Sequence, residues 1–256
     1  MSDKELIVSL HIPKTAGITL KNILSDVYGD SFLWFTQTNT ARGCYERIRH
    51  YDLSKIKCIH SHVAYGIHKY LEADGVKCRY ITFIRNPYER LMSLYNYILT
   101  DPVNEHYKWD ESFGWTREMG FQTWLLDCKL AAQDNDEIRF LSGCENLNTD
   151  GIKYNMSQSD FVMARRNLKK FDFVGFTENF DNEIITLAKI LGWNSIPEYV
   201  RSNVGPVENK MSNLSIAGKN TVRSTNNYSL ALWNHITLKK GGIHNVTRYF
   251  NQSPES

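Results

Sequence analysis

Between Pro13 and Leu20 the chain reads Lys14-Thr15-Ala16-Gly17-Ile18-Thr19, a cation, hydroxyls and small residues in one short run. Before it stands an apolar stretch rich in branched side chains, Leu6 to Ile12; after it apolar residues recur at Leu20, Ile23, Leu24 and Val27. The first pattern is that of a strand, and the second, at i, i+3, i+4 and i+7, is one face of a helix. Pro13 lacks the N–H that a central strand needs, so the strand ends there. A loop in that position aims free main-chain N–H groups and the positive end of the helix dipole at one point, where an anion is stabilised. Ala16 and Gly17 let a phosphate come close to the main chain, Lys14 adds a full charge, and Thr15 and Thr19 add hydroxyl donors. The chemistry predicted is phosphate binding. The triphosphate loop G-x-x-x-x-G-K-[ST] is not the pattern here, because the lysine precedes the glycine and no second glycine lies upstream. The plain alternative is an ordinary strand-to-helix turn with a solvated lysine.

Two further groups stand at comparable places. Arg85 closes Cys78 to Ile84, CRYITFI, which is nearly continuous in β-branched and aromatic residues, as a strand buried on both faces should be. A helix follows, with Pro87 in its first turn and apolar Leu91, Leu94, Tyr95 and Ile98 on one face. Ser93 lies two turns along it. An arginine fork at the strand end and a serine hydroxyl on the helix can converge on one anion; the plain alternative makes Arg85 a salt-bridge partner and Ser93 a small packing residue. The third group is His60 and His62 in the short strand Lys57 to Val63, two apart and so on one face. Imidazole titrates near neutrality, which makes either a candidate base, against the plain reading of a hydrogen-bonded structural histidine.

The elements that must position these groups alternate strand and helix. Ser31 to Leu53 is mixed, and its polar Thr36 to Thr40 run reads as loop, a candidate acceptor-side segment. A short helix reaches Leu71 and Glu72 to Gly75 is a turn. Helical patterns recur around Phe121 to Leu130, Glu137 to Leu141 and Asp160 to Lys170; Phe171 to Phe176 is a strand, and a helix from Phe180 to Leu191 closes at Gly192. Such alternation predicts an α/β fold, a central parallel sheet with helices on both faces and ligands at the carboxyl ends of the strands. The 256 residues suit a single domain, with a core over about 5–192 and a wrapping tail over about 193–256 that has one helical piece from Leu230 to Ile236. A net charge of +2 gives no argument for nucleic acid. The five cysteines show no C-x-x-C pair and no metal-ligand spacing, which fits a reducing compartment. The charged start MSDKELIVSL and the absence of a long apolar run predict a soluble, cytoplasmic chain without signal peptide or membrane span.

The string His11-Ile12-Pro13-Lys14-Thr15-Ala16-Gly17-Ile18-Thr19-Leu20 closely resembles the 5′-phosphosulfate loop of sulfotransferases that use 3′-phosphoadenosine 5′-phosphosulfate (PAPS). It departs at Ile18, where the family often has a hydroxyl residue and where the main-chain N–H is what the position offers. Tyr80 to Tyr95 resembles the 3′-phosphate motif of the same family, with its strand, R-[DN]-P, E-R and S-x-Y. His60-Ser61-His62-Val63-Ala64-Tyr65 resembles the H-G-H-V-x-Y segment of heparan sulfate 2-O-sulfotransferase and its uronyl relatives, with Ser61 in place of glycine. Arg139 to Gly143 and Val174 to Glu178 resemble shorter landmarks whose role the sequence does not give, and Lys219-Asn220-Thr221 falls where the family closes a loop over the cofactor. The resemblance covers about residues 6–235. It implies a P-loop-like sulfotransferase fold and a PAPS-dependent enzyme. In it Lys14 to Thr19 hold the 5′ end, Lys14 offsets charge on the leaving oxygen, and Arg85 and Ser93 hold the 3′-phosphate. His62 is the base and His60 a supporting or acceptor-binding residue. The acceptor it implies is a hydroxyl, on a carbohydrate, against which Trp34, Trp109 and Trp115 could stack. No metal is expected, since lysine, arginine and main-chain N–H groups neutralise the charge. Two alternatives stand beside this reading: a nucleotide-dependent kinase, which would need a triphosphate loop and acidic groups for magnesium, and a non-catalytic nucleotide- or carbohydrate-binding protein of the same fold.

Overall fold

The computed structural model describes residues 4–35, 40–100, 120–127, 133–143, 155–201 and 214–239. Its strands are β1 (Lys4–Leu10), β2 (Phe32–Phe35), β3 (Cys58–Ser61), β4 (Val76–Ile84) and β5 (Phe173–Phe176). They form one sheet in the order β2-β3-β1-β4-β5, with every pairing parallel. The expected α/β architecture is what the chain adopts. From β1 the chain runs outward on one side to β2 and back to β3, whereas β4 and β5 lie on the other side. Connections from the adjacent strands β1 and β4 therefore diverge, and a crevice opens at their carboxyl ends, where open α/β sheets bind ligands.

Alternation along the strands feeds two cores. Leu6, Val8 and Leu10 of β1 face one way with Ile59, Tyr80, Ile84, Val174 and Phe176. On that side lie α2 (Ala41–Ile48), α3 (His68–Leu71), α6 (Asp136–Ser142), α7 (Gln158–Leu168) and α10 (Asn227–Lys239), which contribute Cys44, Leu71, Leu141, Leu168 and Trp233. Ile7, Cys58, Ile81, Phe83 and Phe173 face the other way, against Leu20, Ile23 and Leu24 of α1 (Gly17–Tyr28) and Ile184 and Leu187 of α8 (Phe180–Leu191). A third cluster joins Leu91, Leu94 and Ile98 of α4 (Pro87–Thr100) to Trp124 of α5 (Phe121–Asp127) and Val222 of α9 (Ile216–Thr225).

The structure corrects the sequence expectation in two places. Ser31 to Leu53 contains the edge strand β2 and the helix α2, N-capped by the Thr40 hydroxyl, which accepts from Gly43 N–H at 3.0 Å. In the polar C-terminal segment two helices stand where one was expected. Lys219, Asn220 and Thr221 lie within α9, so in the described fold they are helical and not a loop. Leu232, Trp233 and Ile236 of α10 belong to the main core. No helix among the described residues is long and apolar enough to cross a membrane.

Candidate active site

β1 delivers the chain into the loop, and two residues of that loop have left-handed backbone, Lys14 at φ 69° and Ala16 at φ 62°. Interspersed left-handed residues turn successive N–H groups toward one side, the nest geometry that receives anions. Ala16 is also the N-cap of α1 and supplies no side-chain hydrogen bond to it, so the first N–H groups of the helix are not capped by that residue. Gly17 has no room for a side chain, since a Cβ there would overlap the imidazole of His11. The Thr15 hydroxyl donates to the Ile12 carbonyl at 2.8 Å and the residue is buried, so this hydroxyl braces the loop from within. Thr19 is buried on the first turn of α1, and Ile18 is exposed.

Arg85, at the end of β4, reaches across the crevice and donates through Nη1 to the Lys14 carbonyl at 3.2 Å. Its Nη2 lies 4.0 Å from Glu89 Oε2. Desolvation pushes the Arg85 pKa down, and the carboxylates of Glu178 and Glu89 push it back. The same turn is gripped from β5: the Glu178 carboxylate accepts Asn86 N–H at 2.7 Å, and the Thr177 hydroxyl donates to the Ile84 carbonyl at 3.1 Å. The landmark Val174 to Glu178, mute in the sequence, thereby acquires a role. Gly175 within it passes so close to the sheet that a Cβ would lie 2.6 Å from the Phe83 ring. Ser93 is half-buried on α4. Tyr97, four residues on and hence on the same helix face, lies under the Lys14 ammonium, 3.8 Å from Nζ to the ring centroid.

The histidines meet at the ends of β1 and β3. The parallel pairing extends past β1 through His11 N–H to the Ser61 carbonyl at 2.8 Å. The His11 ring then packs on His60, centroids 5.0 Å apart, and on His62 at 4.4 Å. His62 Nδ1 donates to the His11 carbonyl at 3.0 Å, because a carbonyl can only accept. In the neutral ring that bond puts the lone pair on Nε2, the nitrogen a general base uses. His60 has no exposed surface and shares a 2.8 Å hydrogen bond between Nδ1 and Ser9 Oγ. Desolvation, then the proximity of His62 and Lys21, pushes its pKa down to about 3. His11 is also pushed well below the ordinary value, by desolvation first and then by His62, His60 and Lys14. Both shifts favour the neutral imidazole.

Two contacts hold the segment after His62. Tyr65 N–H donates to the Phe140 carbonyl on α6 at 2.8 Å, and Tyr80 Oη accepts His68 N–H at 3.1 Å. The second mute landmark, Arg139 to Gly143, is thus the backing of the histidine segment, with Gly143 set where a Cβ would strike the Tyr65 carbonyl. It also belongs to a buried ionic group: Arg90 Nη1 lies 3.4 Å from Asp136 and Nε 2.9 Å from Glu137, and Arg139 Nε lies 3.6 Å from Asp136. Trp34 on β2, in register with His60, is 46% exposed and carries the Lys21 ammonium 4.5 Å over its ring. Trp109 and Trp115 lie outside the described residues. The structure thus brings Lys14, Arg85 and the α4 face bearing Ser93 around the loop, and sets His62 beside it with His60 behind. Sequence reasoning did not single out the His11 ring, Ser9 or Tyr97, and it marked Thr177 and Glu178 only as part of a landmark without a role; the His11 position had a signal as the first residue of the loop string.

A nest, a helix N-terminus without a side-chain cap, a lysine and an arginine form a donor set suited to phosphate or sulfate oxygens, and the missing Cβ at Gly17 makes room for the His11 imidazole beside the loop. Fold and site together define a doubly wound α/β protein whose first strand ends in a loop with the chemistry to suit an anion. The chain belongs to the sulfotransferase family, whose model, described as "Sulfotransferase family", matches residues 1–233. Sulfuryl transfer is the chemistry that this membership supports. None of the curated proteins compared matches the chain.

Proposed function

We propose that this chain moves a sulfuryl group from PAPS to an acceptor hydroxyl on a saccharide, with His62 as the base. The observation that carries the reading is the His62 Nδ1 hydrogen bond to the His11 carbonyl, which ties a base-ready imidazole to the first residue of the anion loop. When bound, PAPS supplies a sulfuryl group activated by a phosphate leaving group. The N–H groups from Lys14 to Thr19 hold its 5′ end, and Arg85 and Ser93 hold its 3′-phosphate. Lys14 offsets the charge that grows on the leaving oxygen. His62 Nε2 takes the proton of the acceptor hydroxyl, while His11 packs against the base and His60 against His11, both with pKa values pushed down by desolvation. No metal is called for, because lysine, arginine and main-chain N–H groups supply the neutralisation. The His60 to Tyr65 segment supports an acceptor of the heparan sulfate type, and exposed Trp34 offers a ring face to a sugar.

Calorimetric titration with adenosine 3′,5′-bisphosphate and, in parallel, with ATP and magnesium tests the donor. Tight binding of the bisphosphate, unchanged by a chelator, is expected; preference for ATP with magnesium would sink the reading in favour of a kinase. For the base, His62→Ala should abolish transfer to desulfated heparan chains while bisphosphate affinity survives. Loss of transfer in His60→Ala together with normal transfer in His62→Ala would move the role to the other histidine.

A further inference from the structure

Lys14 is held at both ends. Its left-handed main chain is fixed by Arg85, which donates to its carbonyl at 3.2 Å, and its ammonium lies 3.8 Å from the centroid of the Tyr97 ring. A lysine side chain is long and flexible, and an unheld ammonium samples many positions besides the one that meets a leaving oxygen. The face of an aromatic ring attracts a cation through its quadrupole and leaves the net charge intact. Tyr97 is set for this by α4, one turn beyond Ser93 and on the same face, on a helix whose Arg90 is locked into the buried ionic group with α6.

We propose that Tyr97 is a positioning residue for the catalytic lysine, its ring face holding the Lys14 ammonium at the mouth of the anion loop. This rests on the sulfuryl-transfer reading, from which Lys14 takes its role. The ring is what matters and the phenol hydroxyl is not, so Tyr97→Phe keeps the function and Tyr97→Leu removes it.

The test has two arms. In the ligand-free protein, limiting reductive methylation followed by mass spectrometry gives the labelling rate of Lys14 relative to exposed Lys189 on α8. That ratio should rise several-fold in Tyr97→Leu and stay at the wild-type value in Tyr97→Phe; an unchanged ratio in Tyr97→Leu overturns the proposal. If the leucine variant is unstable by urea denaturation, Tyr97→Met provides the same readout with a flexible, unringed side chain. In the turnover arm, Tyr97→Leu should lower kcat about tenfold with the donor KM within about twofold, and Tyr97→Phe should restore it. Loss in KM alone, or failure of the phenylalanine to rescue, refutes the positioning role. Normal turnover in Lys14→Ala would instead refute the role given to the lysine, and the labelling arm would still decide whether Tyr97 holds it.

Discussion

Gly17 is the tightest point of the site. The loop main chain and the His11 imidazole meet there with no space for a methyl group, and the same imidazole packs on His62. Gly17→Ala must therefore displace either the loop or the histidine stack. It should lower adenosine 3′,5′-bisphosphate affinity by about tenfold or more in a calorimetric titration, since the nest N–H groups turn away from the ligand; an unchanged affinity would mean that the loop does not bind the phosphate. Buried His60 makes a second prediction. Its folded-state pKa of about 3 lies below the ordinary 6.5, so between those values the unfolded chain binds a proton that the folded chain refuses. Stability then rises with pH through this window and is lost as pH falls from 6.5 toward 3, with a slope of about 1.4 kcal/mol per pH unit for one proton. His11, shifted the same way, adds to the effect. Urea midpoints taken from pH 7.5 down to pH 5 should fall, and His60→Gln should flatten that slope; parallel curves for the two proteins would contradict the assignment.

Among the elements, α4 and α6 are bound by charge. Arg90 has no exposed surface and faces Asp136 and Glu137, while Ser229 of α10 donates to Glu137 at 2.6 Å. Burial raises the Asp136 pKa to about 6 against the opposing pull of Arg90 and Arg139. Arg90→Met should therefore destabilise the fold by about 3–5 kcal/mol, read as a lower urea midpoint; a loss under about 1 kcal/mol would show that the methionine packs as well as the pair. Much of this architecture was legible in the sequence. β1 with α1 and β4 with α4 each pair a long apolar strand with a helix of clear period, and their loops carry the charged residues. β2 and α2 were not legible, because a four-residue edge strand has too few positions for a period, and Arg42 and Arg47 dilute the apolar face Ala41, Cys44 and Ile48. α9 buries only Gly218, Thr221 and Val222, a face too polar to stand out. The roles of the His11 ring, Tyr97 and Glu178 come from strand register and helix docking, which join residues far apart in the chain.

The scale of the whole molecule follows from those separations. The bonds that assemble the site link residues 51, 71 and 92 positions apart, His62 to His11, Arg85 to Lys14 and Asn86 to Glu178. Each waits on a parallel pairing, β3 or β4 with β1 and β5 with β4, and parallel strands can pair only after the crossover between them has folded back. Helices form locally and quickly, whereas such long-range pairing is slow. Time therefore separates secondary structure from competence. On dilution from urea the far-ultraviolet helical signal should return first and bisphosphate binding should follow as a distinct later phase; coincident recovery would show that the sheet nucleates together with its helices. A chain emerging from the ribosome would meet the same order. The nest at the end of β1 is synthesised early, yet it has nothing to hold until β5, more than a hundred residues later, has closed the far edge of the sheet.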